Sequence, residues 1–250
     1  MRKNGRNQHL FSMKNKEISK LNNIFQTYQD FEHNIEFFYA NKHLDEILLN
    51  LKGKKVLEVG CSIGIMTRRL ANLKLDLTVI DGSKKIIDYV KNLGNTGKVN
   101  FIISLFENFE TKEKFDDIIM ANLLEHVKNP TFILKKARSL LEEGGIIHII
   151  VPNAESLHRR IGQKMGILKE LVDFSEGDKK LGHRRVYTEE LLENDIKSAG
   201  LKIIKSEGIF LKPFSDSQME KFDGKILDAL FEVGKELPDY CSTLYLICKK

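Results

Sequence analysis

The sequence predicts an α/β protein built on a doubly wound sheet with helices on both faces. Three observations predict it. From residue 55 onward, short β-branched apolar runs alternate with stretches whose apolar residues recur at helical spacing. The first run, Val56-Leu-Glu-Val59, breaks into a loop at Gly60. The second, Thr78-Val-Ile-Asp81, ends in a carboxylate. Continuous apolar strands belong to parallel sheets covered on both sides, and such sheets bind ligands beyond the carboxyl ends of their strands.

Taken in order, residues 1–15 are polar and basic and are expected to form a loosely held tail. Ile18, Leu21, Ile24, Phe25 and Tyr28 follow helical spacing, as do Ile35, Phe38, Tyr39 and then Leu44, Ile47, Leu48 and Leu51. Two or three helices therefore precede the first strand. Residues 1–43 read as a tail with capping helices, and 44–250 as the main domain. Strands are expected at 55–59, 76–81, 100–103, 115–121 and 146–151, with helices at 65–73, 84–93 and 130–141. Pro130 suits an early helical position. Glu143-Gly-Gly145 offers a left-handed cap to end that helix. After an interruption, Thr188 is positioned to cap a helix ending near Gly200. A strand at 201–206, a long helix at 216–237 and a last strand at 242–248 complete the pattern.

The interruption runs from 153 to 186. It carries Arg159, Arg160, Lys164, Lys169, Lys179, Lys180, Arg184 and Arg185. It follows the fifth strand directly and would lie over the ligand edge of the sheet. It reads as a lid or substrate-binding insertion; a helical decoration with a solvated face is the alternative.

Bulk properties narrow the class. The chain has 250 residues, 30% charged and 42% hydrophobic, as in an ordinary globular protein with a sizeable core. No apolar run reaches the roughly 18–20 residues of a membrane span. The first twenty residues lack an apolar segment, so no secretory signal is expected. Cys61, Cys241 and Cys248 are odd in number and lack metal-ligand spacing. Cys61 and Cys248 lie in or beside apolar runs and are expected to be reduced and buried in a cytoplasmic protein, and no metal is expected. The net charge of +5 is compatible with a phosphorylated or nucleotide-linked partner, and equally with solubility alone.

The loop Glu58-Val-Gly60-Cys61-Ser62-Ile-Gly64, answered by Asp81, has the plan of a nucleotide-type cofactor site. Glycine permits close backbone approach and positive φ. The nicotinamide fingerprint G-x-G-x-x-G does not fit, because positions 62 and 65 are Ser62 and Ile65.

These residues resemble the class I S-adenosylmethionine-dependent methyltransferases over about residues 44–250. The resemblance implies a Rossmann-like, seven-stranded sheet, mostly parallel with the last strand antiparallel. The cofactor would be S-adenosylmethionine and the product S-adenosylhomocysteine. Gly60, Cys61, Ser62 and Gly64 would pass beneath the methionine part. Glu58 would order that turn or reach the ammonium through water. Asp81, followed by Gly82, would accept both ribose hydroxyls, a task suited to an ionised carboxylate. Ser104-Leu105-Phe106-Glu107 stands where the family reads adenine. The usual aspartate is Leu105, so Leu105, Phe106 and Glu107 would act through backbone and apolar contacts, with Phe106 equally readable as core.

Met120-Ala-Asn122-Leu-Leu-Glu125-His126-Val127 is similar to a signature of small-molecule methyltransferases in the ubiquinone and polysaccharide-modifying group. It puts Asn122 at the methionine end. Val151-Pro-Asn153-Ala-Glu-Ser156-Leu-His158-Arg159-Arg160 and Gly182-His183-Arg184-Arg185-Val-Tyr187-Thr188 look like patterns from methyltransferases of bacterial surface-polysaccharide gene clusters. They nominate Asn153, Arg159, Arg184, Arg185 and Tyr187 for the substrate, the arginines as clamps for a phosphate. A hydroxyl acceptor must lose its proton, and His183, His158 and His126 are the candidate bases. His9, His33, His43 and His148 read as surface, cap or core residues, with His148 a buried neutral imidazole. Tyr28 and Tyr39 could cover the cofactor.

The expected activity is methyl transfer to an oxygen or nitrogen of a small molecule: a sugar, sugar nucleotide or phosphorylated metabolite destined for capsule or other surface polysaccharide. A quinone or lipid precursor, or RNA, is the alternative acceptor, and a non-catalytic cofactor-binding module the alternative class. The Asn-Pro-Pro-Tyr type of motif expected of a nucleic-acid methyltransferase is absent after the fourth strand. No membrane partner is expected, and the leading helices could serve a homodimer.

Overall fold

The computed structural model describes residues 15–27 and 35–250. Tyr28, His9 and His33, and the expected tail up to residue 14, lie outside the described residues. The elements follow the alternating pattern. A helix over 15–27 (α1) and Ile35–Leu48 (α2) precede β1 (Lys55–Val59) and α3 (Ile65–Ala71). Then come β2 (Asp76–Asp81), α4 (Lys84–Asn92), β3 (Asn100–Ile103), β4 (Phe115–Ala121), α5 (Pro130–Leu140) and β5 (Leu141–Pro152). The insertion folds as α6 (Leu157–Lys164) and α7 (Glu176–Leu181), and α8 (Glu189–Ser198) leads to β6 (Lys202–Ile209). The remainder is α9 (Asp216–Met219), α10 (Gly224–Gly234) and β7 (Thr243–Lys249).

The seven strands form one sheet in the order β3-β2-β1-β4-β5-β7-β6. β3, β2, β1, β4 and β5 run parallel to one another, and β7 runs antiparallel between β5 and β6. The side chains alternate as the pleat demands. Leu57, Val59, Ile118, Met120, Leu244 and Leu246 enter one core with Ile133 and Leu134 of α5 and Leu192 and Ile196 of α8. Val56, Ile119, Tyr245 and Ile247 enter the other with Leu44 and Ile47 of α2, Leu70 of α3 and Ile86 and Val90 of α4. The sheet is therefore sandwiched, as apolar runs without polar alternation require.

Besides shifts of up to three residues, such as β6 running on to Ile209, two regions differ from expectation. The fifth strand begins at Leu141 rather than residue 146, because Leu141 is fully buried and pairs with Phe115 ahead of a register shift. Gly144 does adopt φ 77°, but inside that irregular strand start rather than as a helix cap. The helix expected over 216–237 is broken. Asp223 accepts the Ile226 amide and caps a new helix at Gly224, and a 3₁₀ turn over Pro238–Tyr240 follows. The remaining caps obey the sequence: Thr188 accepts the Leu191 amide, and Asn129, just before Pro130, accepts the Phe132 amide.

One buried polar hub holds the entry to the sheet. Asp117 of β4 is fully buried and accepts the backbone amides of Lys52 and Gly53 at 2.9–3.0 Å. It also meets His148 Nε2 at 2.9 Å, while His148 Nδ1 lies 2.8 Å from the Tyr245 hydroxyl. A carboxylate only accepts, so Nε2 carries the proton and, in the neutral ring, Nδ1 accepts from Tyr245. His148 thus joins β4, β5 and β7, as a core histidine with partners. The neighbouring Asp116 accepts the amides of Lys54 and Lys55 and occupies the space where a Gly53 side chain would stand.

Removing a buried partner of this kind leaves several polar groups without water or protein. Asp117→Ala is expected to lower stability by about 3–5 kcal/mol, read as a shift in the denaturant midpoint. A loss under 1 kcal/mol would show that the hub does not hold the sheet.

Candidate functional site

The carboxyl ends of β1, β2, β4 and β5 open onto one cavity of about 330 Å³. The first wall is the loop after β1. Gly60, Ser62 and Gly64 hold φ of 82°, 46° and 78°, so the backbone turns sharply out of the sheet. Ser62 does so at a steric cost that glycine would avoid. The three are not equivalent. Gly60 and Ser62 line the cavity, whereas Gly64 does not; a side chain there would strike Val90 of α4 at 2.7 Å. Gly64 is required by helix packing as well as by its φ.

Glu58 is buried, accepts the Thr67 hydroxyl at 2.8 Å, and has its pKa raised to about 8 by burial. Asp81 is buried at the end of β2. One oxygen accepts the Ser83 amide at 2.8 Å and the other the Cys61 amide at 3.2 Å. Burial raises its pKa to about 6 against the opposing pull of these amides. The second oxygen also accepts the Cys61 thiol at 3.8 Å. A carboxylate has about four acceptor sites, so one stays unused and the long thiol contact can give way to a second hydroxyl. Gly82 lies behind this wall, where Leu105 and Leu21 fill the space of its missing side chain.

Asn122, at the end of β4, is left-handed with φ 51° and lines the cavity with Leu123, Glu125 and His126. Asparagine tolerates that conformation better than most residues. Both carboxylate oxygens of Glu125 are buried and have no hydrogen-bond partner among the described residues. Burial raises its pKa to about 7, while burial and the nearby His183 lower that of His126 to about 3. The rings of His126 and His183 meet edge to face with centroids 4.8 Å apart. His183 Nδ1 lies 2.7 Å from Asp178 Oδ1. Burial alone would raise the Asp178 pKa, but His183, Ser175 and Arg159 together hold it well below the usual carboxylate range.

The insertion therefore supplies a wall of the cavity, through His158, Arg159, Ser175, Asp178 and His183. Its arginines are engaged differently from expectation. Arg159 is buried and bonds Asp178 at 3.0 Å, the Leu171 carbonyl at 3.0 Å and the Asp173 carbonyl. Arg184 donates to the His126 carbonyl at 2.8 Å and pairs with Glu17 at 3.0 Å. Arg185 donates to the Leu124 carbonyl. Neither Arg184 nor Arg185 lines the cavity. They staple the 182–185 segment onto the loop after β4 and so bring His183 to His126.

Asn153 lines the cavity, yet its side chain is tied to the Asp239 and Cys241 carbonyls and to the Glu155 amide. Tyr187 is buried away from it and donates to Asp195. The residues expected at the adenine end, Leu105, Phe106 and Glu107, are also outside the cavity lining. Phe106 turns into the core beside Phe109, and the Glu107 carbonyl accepts Lys136. The 3₁₀ turn at Phe106–Asn108 directs the aromatic ring inward. His158 does line the cavity; burial lowers its pKa to about 2, and its Nδ1 has no partner among the described residues.

Several lining residues carried no sequence signal: Glu36, Lys212 and Asp216, besides His43. Tyr39 donates to Asp216 at 3.0 Å and Lys212 pairs with Asp216 at 2.5 Å, across α2 and the segment after β6. His43 bonds Thr243 at 3.1 Å. Asp178 was findable as the second half of a Ser175-x-x-Asp178 capping box, which the structure forms. The three cysteines are free and buried, and no described helix is long and apolar enough to cross a membrane.

The fit to a nucleoside cofactor with a methionine tail is direct. The cavity volume lies in the range of small-molecule sites. Asp81 offers acceptor capacity at one part of it, and Gly60 offers backbone without a side chain at another.

A family model described as a methyltransferase domain matches residues 31–206. A ubiquinone biosynthesis O-methyltransferase of Pelagibacter ubique is 32% identical over 105 residues, covering 41% of this chain and 44% of the relative. One from Coxiella burnetii is 35% identical over 100 residues, covering 39% and 43%. The matched region thus spans less than half the length of these curated relatives. Among solved structures, a methyltransferase of Thermotoga maritima described as a possible histamine N-methyltransferase superposes with TM-score 0.64 at 18% identity, covering 94% of this chain and 99% of that one. Magnesium protoporphyrin IX methyltransferase of Synechocystis, solved with bound S-adenosylhomocysteine, gives TM-score 0.57 at 14% identity, covering 86% and 84%. The likeness to these structures is one of fold, and it agrees with the sheet order, the cavity and the family model. The chain belongs to the class I S-adenosylmethionine-dependent methyltransferases.

Proposed function

We propose that the chain methylates an oxygen of a small molecule, with Asp81 and the Gly60–Ser62 loop holding S-adenosylmethionine and the Glu125, His126 and His183 group facing the acceptor. One observation carries this reading: a single cavity is lined both by a ribose-type carboxylate and by a buried group of proton acceptors. When bound, the cofactor supplies a methyl group on a positively charged sulfur. The protein's part is to hold the acceptor in line, keep water out and receive a proton.

His183 is the best placed proton acceptor. Its Nδ1–H donates to Asp178, which fixes the tautomer and leaves Nε2 as a lone-pair donor. Asp178 stays ionised because His183, Ser175 and Arg159 outweigh its burial. His158 is a weaker candidate, since burial keeps its ring neutral and resists taking up a proton. The 153–186 insertion acts in this reading as the substrate-binding wall.

The acceptor class follows from what the wall offers. A phosphorylated or nucleotide-linked sugar was suggested by Arg159, Arg184 and Arg185, but all three are bonded within the protein. The wall includes Tyr39, Ile63, Ile65, Met66 and Leu123, which suit an apolar or aromatic body bearing a hydroxyl. We favour a quinone precursor over a surface sugar, supported further by the similarity to ubiquinone biosynthesis O-methyltransferases. A screen with methyl-labelled cofactor against hydroxylated aromatics and nucleotide sugars tests the choice; labelling confined to the sugars would reverse it.

Asp81 must be ionised to accept two hydroxyls. Its pKa is raised to about 6, so binding strength is present above that pH and is lost as the pH falls through it. Affinity for S-adenosylhomocysteine is expected to fall by up to about tenfold per pH unit below 6. Asp81→Asn should weaken binding by about ten- to a hundredfold and flatten that dependence. Calorimetric titration across pH 5–8 measures both, and an unchanged profile in the variant would misplace the ribose site.

His183→Ala is expected to lower kcat by roughly 10²–10⁴ with cofactor affinity intact, and His158→Ala to change kcat only a few-fold. Full turnover in His183→Ala would remove the assignment.

A further inference from the structure

We propose that Glu125, His126 and His183 form a binding site for one divalent transition-metal cation, placed where the acceptor oxygen is activated. The inference rests on the reading of this cavity as the methyl-transfer site. Each residue offers one ligand atom, and these atoms lie within 4.8 Å of one another. Small side-chain rotations bring such a set around one ion, with bonds of about 2.0–2.2 Å.

The carboxylate makes the case. Glu125 is 1% exposed, and neither of its oxygens has a hydrogen-bond partner among the described residues. A buried carboxylate without partners is costly whether it is ionised or protonated. A cation supplies the missing partner to the ionised form. Glu125 is also held in place: its carbonyl accepts the Arg184 amide at 2.8 Å, and the next carbonyl, of His126, accepts the Arg184 side chain at 2.8 Å.

The histidines are prepared in the same sense. The His126 ring meets that of His183 edge to face with centroids 4.8 Å apart, so the two imidazoles stand side by side at the cavity. His183 gives its Nδ1–H to Asp178, leaving Nε2 as the ligand atom. A ligating histidine whose other nitrogen donates to a carboxylate is the usual outer support of a metal site. Asp178 is in turn bonded by Arg159 at 3.0 Å and by the Ser175 hydroxyl at 2.6 Å.

Two imidazoles and one carboxylate suit Zn²⁺, Fe²⁺, Co²⁺ or Mn²⁺, and three protein ligands leave coordination positions open toward the cavity. An acceptor hydroxyl bound there would lose its proton to solvent at lower pH than when free. The oxygen keeps the electron pair and forms the bond to the methyl carbon as the carbon–sulfur bond breaks. With the cation bound, His183 serves as a ligand. Without it, His183 and Asp178 remain the proton-accepting pair.

The test uses the full chain, stripped with chelator and titrated with Co²⁺ alone. Visible d–d absorption should saturate at one ion per chain, and Zn²⁺ and Mn²⁺ should each raise the Tm. Glu125→Gln and His183→Gln should each weaken Co²⁺ binding at least tenfold while S-adenosylhomocysteine binding is retained, which shows that both variants fold. Methyl transfer should fall on chelation and return with added cation. Absence of saturable absorption, or binding that both variants leave intact, overturns the site. Turnover that persists in full after chelation also overturns it, and leaves the methyl-transfer reading with His183 as base. Cation binding without any S-adenosylhomocysteine binding upholds the site and sinks the cofactor reading instead.

Discussion

Everything at the site depends on parallel strands leaving the sheet along one edge through left-handed turns. β1 and β4 are neighbours, and both end at that edge. Beyond them Gly60, Ser62, Gly64 and Asn122 all have positive φ. A left-handed residue reverses the chain within one step, so the loops fold back around a space instead of extending into solvent. Two of the four are not glycine, and strain of this kind persists only where surrounding structure over-determines it. Here that support is visible: the Gly60 amide donates to the Ile80 carbonyl and the Asn122 amide to the Ile150 carbonyl, tying each turn to the adjacent strand.

The second dependence is electrostatic. The cavity gathers Glu58, Asp81, Glu125 and Asp178, all of them buried. They differ because their partners differ. Asp178 has a guanidinium, an imidazole and a hydroxyl, and stays ionised. Asp81 has two amides and a distant thiol and is intermediate. Glu58 has one hydroxyl, and Glu125 has no side-chain partner, so burial dominates both. A graded set of carboxyl groups in one space is what environment does to one functional group.

The fold was largely legible in the sequence because its signals are local. β-branched runs, Pro130, the Thr188 cap and the Gly60 loop each state their own conformation, and the strands fall where the runs are. The misread boundaries were also local contests. At residue 141 a buried leucine outweighed a glycine cap, and at Asp223 a capping side chain outweighed a helical period. The site was half legible. Asp81 and the Gly60 loop are announced by spacing on two successive strands. The roles of Arg184 and Arg185 were not, since a guanidinium reads as a ligand clamp or as a backbone staple depending on which carbonyls the fold brings near. Likewise Glu36, Lys212 and Asp216 meet only because α2 packs beside the segment after β6.

The position of β7 has a consequence for how the protein is made. Among the described residues β6 has β7 as its only sheet neighbour, and β7 is the later of the two in the chain. As the polypeptide emerges from N- to C-terminus, β6 must wait unpaired, its hydrogen-bonding edge open, until the following helices and β7 have been produced. β7 then has to slide between two strands already present. The parallel half of the sheet, with the Gly60 loop and Asp81, can settle earlier on contacts already available. The insertion of β7 thus joins β5 and β6, and it brings Ser242 and Thr243 to the cavity, which is completed only when this strand is in place.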